Sequence, residues 1–211
     1  MNLIQTSFQN IFCVNLKRRP DRLIEIKEEL KKHNINVEFV VGIDGKTLNL
    51  PDMISSDGEA IHKGDIGCAQ SHLKIAKIAK QRGMKNYLVF EDDAQLIDNF
   101  NDVFPIYFSQ LPQDWNFFYL GGNHSGGLEK VTDHIYKIFK TFTTHAYAVN
   151  GSETIDSIIS VLSNDNEKVD VAIASLHSKF NSYTCRPHIA FQRSSFSDIL
   201  EKQTDYKHLR D

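Results

Sequence analysis

Three adjacent carboxylates, Glu91-Asp92-Asp93, directly follow the apolar run Tyr87-Leu88-Val89-Phe90. Clustered acids repel one another, so a counter-ion or a set of backbone donors is expected around them. In an extended segment residues two apart share a face, which would let Glu91 and Asp93 address one hard cation while Asp92 points elsewhere. A divalent ion there could bridge a diphosphate and stabilise it as a leaving group. A turn or a helix cap is the structural alternative for the same acids. A basic cluster, Lys17-Arg18-Arg19 with Arg22, follows a second apolar run, residues 11–16. Guanidinium forks at a strand-to-helix turn suit phosphate oxygens, although solvated surface charges would have the same sequence. A third stretch, Gly64-Asp65-Ile66-Gly67-Cys68-Ala69-Gln70-Ser71-His72, opens a helical pattern with small residues that permit close approach. Ser71 and His72 are neighbours on a helix and so do not face each other, which excludes a ready-made dyad. His72 reads as a core or hydrogen-bonding residue and Cys68 as a small packing residue.

Other chemistries lack their usual marks. The remaining histidines show no HExxH or CxxC…H spacing, and no GxxxxGK[ST], GxGxxG or GxSxG occurs. Zinc hydrolase, P-loop, dinucleotide-redox and α/β-hydrolase chemistry are therefore not indicated. Cys13, Cys68 and Cys185 are an odd, widely spaced set, as expected of reduced thiols in a reducing compartment.

The elements that must position these residues alternate in type. Residues 11–16 read as a buried strand. After Pro20, the spacing of Leu23, Ile26 and Leu30 predicts an amphipathic helix of about three turns. Residues 37–43 read as a strand closed by Asp44-Gly45, residues 48–63 as a loop, and residues 65–82 as a helix with Gly83 as its C-cap. Residues 87–90 are a strand, 100–111 a helix and 115–120 a strand. A Gly-rich loop is expected over 121–127. Residues 135–142 alternate in part, 146–149 suit a strand, 152–162 and 169–178 suit helices, and 189–192 a last strand before a polar tail. This order predicts one α/β domain over 1–200, with a mainly parallel central sheet flanked by helices, and a polar tail over 201–211. In such sheets ligands bind outside the carboxyl ends of the strands, where all three clusters fall.

Composition narrows the class. The 211 residues carry 24 basic and 27 acidic side chains, a net charge of −3, with 41% hydrophobic residues. A collagen-like chain, a disordered chain and a basic nucleic-acid-coating protein are all unlike this. The N-terminal ten residues lack a signal-peptide pattern and the apolar runs are short, so a soluble, cytoplasmic protein is expected.

In this order the motifs resemble glycosyltransferase family 25, which includes lipooligosaccharide galactosyltransferases and the galactosyltransferase domains acting on collagen hydroxylysine. The resemblance rests on residues 14–22, on Gly64-Asp65-Ile66-Gly67-Cys68 with Ser71-His72, on Val89-Phe90-Glu91-Asp92-Asp93, on Asp114-Trp115 with Tyr119-Leu120-Gly121-Gly122, on Thr144-His145-Ala146-Tyr147, on Val169-Asp170, and on Pro187, Gln192 and Ser197-Asp198-Ile199. It implies a GT-A-like fold, a UDP-sugar donor carrying galactose or glucose, and transfer with inversion. Asn15, Arg18, Arg19 and Arg22 would hold the nucleotide and its phosphates. Glu91, Asp92 and Asp93 would hold Mn²⁺ (or Mg²⁺) and the donor sugar or ribose, with His145 or His188 as a late ligand.

An inverting transfer needs a general base for the acceptor hydroxyl. Asp170 is the first candidate, against the alternative of a helix-terminal acid; Asp93 or Asp92 could serve instead. Trp115 and Tyr147 could stack on a sugar, but each is a single aromatic in an apolar run and reads first as a core residue. The short stretch between 126 and 170 leaves the acceptor open among a glycan, a lipooligosaccharide reached by peripheral membrane association, and hydroxylysine. No nucleic-acid partner is implied. The competing classes are a metal-dependent nucleotide-sugar phosphohydrolase and a non-catalytic carbohydrate-binding relative.

Overall fold

A computed structural model describes residues 2–51, 53–56, 58–164, 167–197 and 202–205. In chain order the elements begin α1 (Leu3–Ser7), β1 (Ile11–Leu16), α2 (Pro20–Lys32) and β2 (Glu38–Gly42), then a 3₁₀ turn over Gly45–Thr47. Next come β3 (Met53–Ile54), β4 (Ala60–Ile61), α3 (Lys63–Gln81), β5 (Asn86–Glu91), β6 (Ala94–Leu96), α4 (Phe100–Ser109) and β7 (Phe117–Tyr119). The second half carries β8 (His124–Lys130), β9 (Ile135–Thr141), β10 (Ala146–Asn150), α5 (Ser152–Leu162), α6 (Val169–Ala174), β11 (Ser182–Cys185), β12 (Ala190–Gln192), β13 (Ser195–Ser197) and β14 (Lys202–Thr204).

Eight strands form one sheet in the order β2-β1-β5-β10-β7-β11-β9-β8. The first three are parallel, β10 runs against both β5 and β7, β11 runs with β7, and β9 reverses again between β11 and β8. Most strands thus share one sense, as the sequence predicts, but the second half pairs largely antiparallel. Strand alternation builds two cores. Leu88 and Phe90 of β5 face α1, α2 and α4, meeting Ile4, Ile26, Leu30, Phe100 and Phe104. Tyr87 and Val89 face α3, α5 and α6, meeting Leu73, Ala76, Ile155, Ile158 and Ile173. The expected α/β class, a central sheet flanked by helices, is what the chain adopts.

Differences fall where the sequence signal is weak. The Gly-rich stretch expected as a loop enters β8, with a register shift between Ser125 and Leu128 where Gly126 and Gly127 have positive φ. Strand β11 is entirely buried although its sequence, Ser-Tyr-Thr-Cys, is half polar; Ser182 donates to the Phe180 carbonyl and Thr184 to that of Tyr119. The 48–63 loop contains the β3–β4 pair. Helix α6 stops at Ala174, short of the expected 178. In the stretch expected as a polar tail, residues 202–204 pair with β13. Asp198 and Ile199 of the closing motif lie outside the described residues.

Helix α3 reaches the sheet through Gly67. A Cβ there would sit 2.6 Å from both Gly45 N and Ile43 O, so only glycine lets the helix start press against the turn after β2. Gly83, at φ +64°, ends the helix as expected.

Candidate functional site

Parallel pairing of β1 with β5 sets Val14 opposite Glu91, so the residues just beyond these strands emerge side by side. Asn15 is buried and donates from Nδ2 to Asp92 Oδ2 at 2.8 Å and to the Arg19 carbonyl at 3.1 Å. Arg22, in the first turns of α2, sends Nη1 to Asp92 Oδ1 at 2.6 Å and Nη2 to Asp93 Oδ2 at 3.0 Å. From the other end of the chain, Gln192 of β12 donates to Asp93 Oδ2 at 3.1 Å and the Arg193 amide to the Asp93 carbonyl at 2.7 Å. Asp93 Oδ1 is buried without a hydrogen-bond partner among the described residues. Burial pushes the Asp92 carboxyl up to about 6; Asp93 and Glu91 add to this, and Arg22 and Asn15 oppose it.

Glu91 points into a different set of side chains. Its Oε1 lies 3.1 Å from His72 Nε2 and accepts from Thr144 Oγ1 at 2.6 Å. His72 Nδ1 lies 2.9 Å from the Tyr147 hydroxyl. Because the carboxylate only accepts, Nε2 carries a proton and donates it to Glu91. Burial alone would raise the Glu91 carboxyl, but the bonds from His72 and Thr144 and the nearby imidazoles outweigh it and hold the group low. The trio therefore divides otherwise than strand alternation implies. Asp92 and Asp93 share one guanidinium, whereas Glu91 turns toward α3, because the chain leaves the extended conformation after Glu91.

Asp170 lies in the first turn of α6, with Oδ1 accepting from the Val171 amide at 2.9 Å. Burial pushes it up to about 6, helped by the charges of Glu91 and Asp65 and opposed by the Val171 bond. It thus belongs to the electrostatic neighbourhood of Glu91 although the two are far apart in sequence. The outer arginines engage local acids: Arg18 Nε meets Asp44 at 2.7 Å and Arg19 Nη2 meets Asp21 at 2.7 Å. His145 is buried, with Nε2 3.3 Å from the Ala190 carbonyl and Nδ1 without a partner among the described residues. Burial lowers its pKa, against the pull of Glu91 and Asp93. His188 Nε2 stands 3.1 Å from His124 Nε2, and burial followed by the His188 charge lowers His124 to about 3.

Among the described residues, the His, Cys and acidic side chains whose ligand atoms gather most closely in a group of three are Cys68, His72 and Glu91. Trp115 packs edge-on to Phe8 and Phe108 in the core, and Tyr147 stacks on Tyr119 and His72. Sequence reasoning assigned no site role to Thr144, Gln192, Arg193 or the His72–Tyr147 hydrogen bond. Their only signal was that Thr144, Tyr147, His72 and Gln192 fall inside the quoted motifs. No helix among the described residues is long and apolar enough to cross a membrane.

Known proteins resemble this chain along most of its length. The profile described as glycosyltransferase family 25 (LPS biosynthesis protein) matches residues 8–184. Procollagen galactosyltransferase 1-A of Xenopus laevis is 33% identical over 138 residues, 54% of this chain and 21% of that protein. A mouse protein named inactive glycosyltransferase 25 family member 3 is 29% identical over 148 residues, 61% of this chain and 24% of that protein. The chain thus spans less than a quarter of these relatives' length. A solved glycosyltransferase involved in glycosylation of the PBCV-1 major capsid superposes with a TM-score of 0.45 at 11% identity, over 74% of this chain and 66% of that one. With a profile match that runs from before β1 into β11, and with the acid trio and the arginine turn inside it, this chain belongs to glycosyltransferase family 25.

Proposed function

We propose that the chain is an inverting hexosyltransferase that moves galactose or glucose from a UDP-sugar to an acceptor hydroxyl with the help of Mn²⁺ or Mg²⁺. The observation that carries this reading is the buried carboxylate pair Asp92–Asp93 at the carboxyl ends of β1 and β5, with Asp93 Oδ1 lacking a partner among the described residues. An all-oxygen donor set fits a hard divalent cation, and a buried carboxylate oxygen left without a donor is a place for one. Asp93 and Asp92 are the residues that would hold it, with Glu91, now turned toward His72 and Thr144, and His145 as further candidates. When bound, the cation neutralises the charge of the departing diphosphate.

The chain's own groups supply the rest. Arg22 fixes both carboxylates, and Asn15 orients Asp92 from β1. Arg18 and Arg19, at the entry to α2, offer guanidinium groups to diphosphate oxygens by exchanging the exposed acids they now hold. Asp170 takes the proton of the acceptor hydroxyl as that oxygen attacks the anomeric carbon opposite the leaving diphosphate. All three cysteines are free, which suits a reducing compartment such as the cytoplasm. The acceptor classes are a glycan, a glycolipid headgroup and a hydroxylysine side chain.

The test is a thermal-shift titration with UDP and competing nucleotides, with and without Mn²⁺, followed by turnover of UDP-galactose and UDP-glucose. A ligand at a hundred times its dissociation constant stabilises the native state by about 2.7 kcal/mol. The expected result is a shift for UDP that requires Mn²⁺, then release of UDP with an inverted glycoside. Release of inorganic phosphate would replace this reading with the phosphohydrolase. A non-catalytic relative is favoured by one observation, that Arg22 already pairs with both Asp92 and Asp93, and it predicts no metal-dependent nucleotide shift at all.

A further inference from the structure

Helix α3 carries Cys68 and His72 four residues apart, hence on one face, and its close seating through Gly67 sets that face against the end of β5. The Cys68 sulfur, an imidazole nitrogen of His72 and a carboxylate oxygen of Glu91 all lie within 4.8 Å of one another. Cys68 and Glu91 are half-buried and His72 is buried. We propose that Cys68, His72 and Glu91 form a second cation site, selective for a borderline-soft divalent ion of the Zn²⁺ class and distinct in donor chemistry from the all-oxygen pair Asp92–Asp93.

The ligand types and spacing fit that ion. Zinc binds thiolate at about 2.3 Å and imidazole or carboxylate at about 2.0–2.2 Å, which in a tetrahedral site separates ligand atoms by roughly 3.3–3.7 Å. The His72–Glu91 separation of 3.1 Å is already close to this, and the Cys68 sulfur lies within 4.8 Å of both. Tyr147 is an outer partner for the histidine: when Nε2 binds the ion, the ring proton resides on Nδ1 and is donated to the Tyr147 oxygen. Thr144 donates to the same carboxylate oxygen and helps to fix its orientation. Burial and the charges of Glu91, Asp170, Asp65 and Asp93 oppose a bare thiolate at Cys68, and the same anionic surroundings attract a cation. Binding forms the metal–sulfur bond and releases the thiol proton to solvent. Three protein ligands leave a fourth position open. Occupancy would also draw Glu91 away from a hard cation at Asp92–Asp93, which makes zinc an inhibitor of any chemistry there.

The experiment titrates the metal-free chain with Co²⁺, a spectroscopic stand-in for zinc, and then displaces it with Zn²⁺. The expected result is one equivalent bound with a thiolate-to-cobalt charge-transfer band, displaced by Zn²⁺ and retained under excess Mg²⁺. Cys68→Ser and Cys68→Ala should each abolish the band and weaken zinc binding by at least about tenfold, the low end of what even outer ligand partners contribute. Melting curves without metal identify the variants that fold, and either one decides. Absence of the band in the parent chain, its persistence in a folded Cys68 variant, or its displacement by Mg²⁺ would overturn the site. Because the readout is binding, failure of the site and failure of the transferase reading are separate outcomes.

Discussion

Arg22 is the residue whose loss should be felt most. It holds two buried carboxylates, at 2.6 and 3.0 Å, with 11% of its own side chain exposed. Arg22→Ala leaves Asp92 and Asp93 uncompensated, and removing one partner of a buried ion pair costs about 3–5 kcal/mol. Chemical denaturation should show that loss, and Mn²⁺ should restore part of it if the pair accepts a cation. Asp92 makes a separate, pH-dependent prediction. Its carboxyl is raised from 3.8 to about 6 in the folded chain, so the native state binds this proton more tightly than the unfolded state. Stability from this group is therefore present at low pH and falls as pH rises from about 4 to 6, a span of roughly 3 kcal/mol at 1.36 kcal/mol per unit. The difference between the parent chain and Asp92→Asn isolates it, since other acids such as Glu38 and Asp44 are held low and contribute in the opposite sense. A flat difference across that window would mean that Asp92 is solvated.

At the scale of elements, what the sequence revealed and what it concealed separate by the kind of signal. Strands β1 and β5 and helices α2, α3 and α5 carry long apolar periods, and their positions follow from them. Strand β11 does not, because its burial comes from a central place in the sheet that no local pattern encodes. For the same reason the acid trio was legible as a strand-end cluster but its division was not. Which face Glu91 takes depends on His72 and Thr144, residues that only the packing of α3 and β10 brings near. Gly67 is where that packing can be tested. A Cβ 2.6 Å from Gly45 N and Ile43 O would meet backbone on both sides, which has no soft direction to yield. Gly67→Ala should thus push α3 outward and lower stability by about 1–3 kcal/mol, the usual cost of overpacking. It should also separate His72 from Glu91, read as a weakened Co²⁺ site. An unchanged melting temperature would show that the helix start has room to shift.

At the scale of the whole molecule, the site joins two halves that fold around one sheet. The first half supplies Asn15 and the acid trio from the ends of two parallel strands and Arg22 from α2; the second supplies Thr144, Gln192 and Asp170 from the antiparallel region and α6. Asp170 is the link on which the proposed chemistry depends. It needs to be ionised to accept a proton, and burial with the nearby charge of Glu91 raises its carboxyl to about 6. The proposed transfer should accordingly show kcat/KM rising with pH through about 6 and levelling near neutrality. Asp170→Asn should lower kcat by about 10²-fold or more and abolish that acid limb, while leaving the Mn²⁺-dependent UDP shift in place, because the donor residues are untouched. Asp92 titrates in the same range, so the pH profile alone does not tell the two apart. The binding measurement does. If the residual activity of Asp170→Asn keeps the limb and UDP binding loses stability below pH 6 in parallel, the titration belongs to the donor carboxylates, and another residue must be the base.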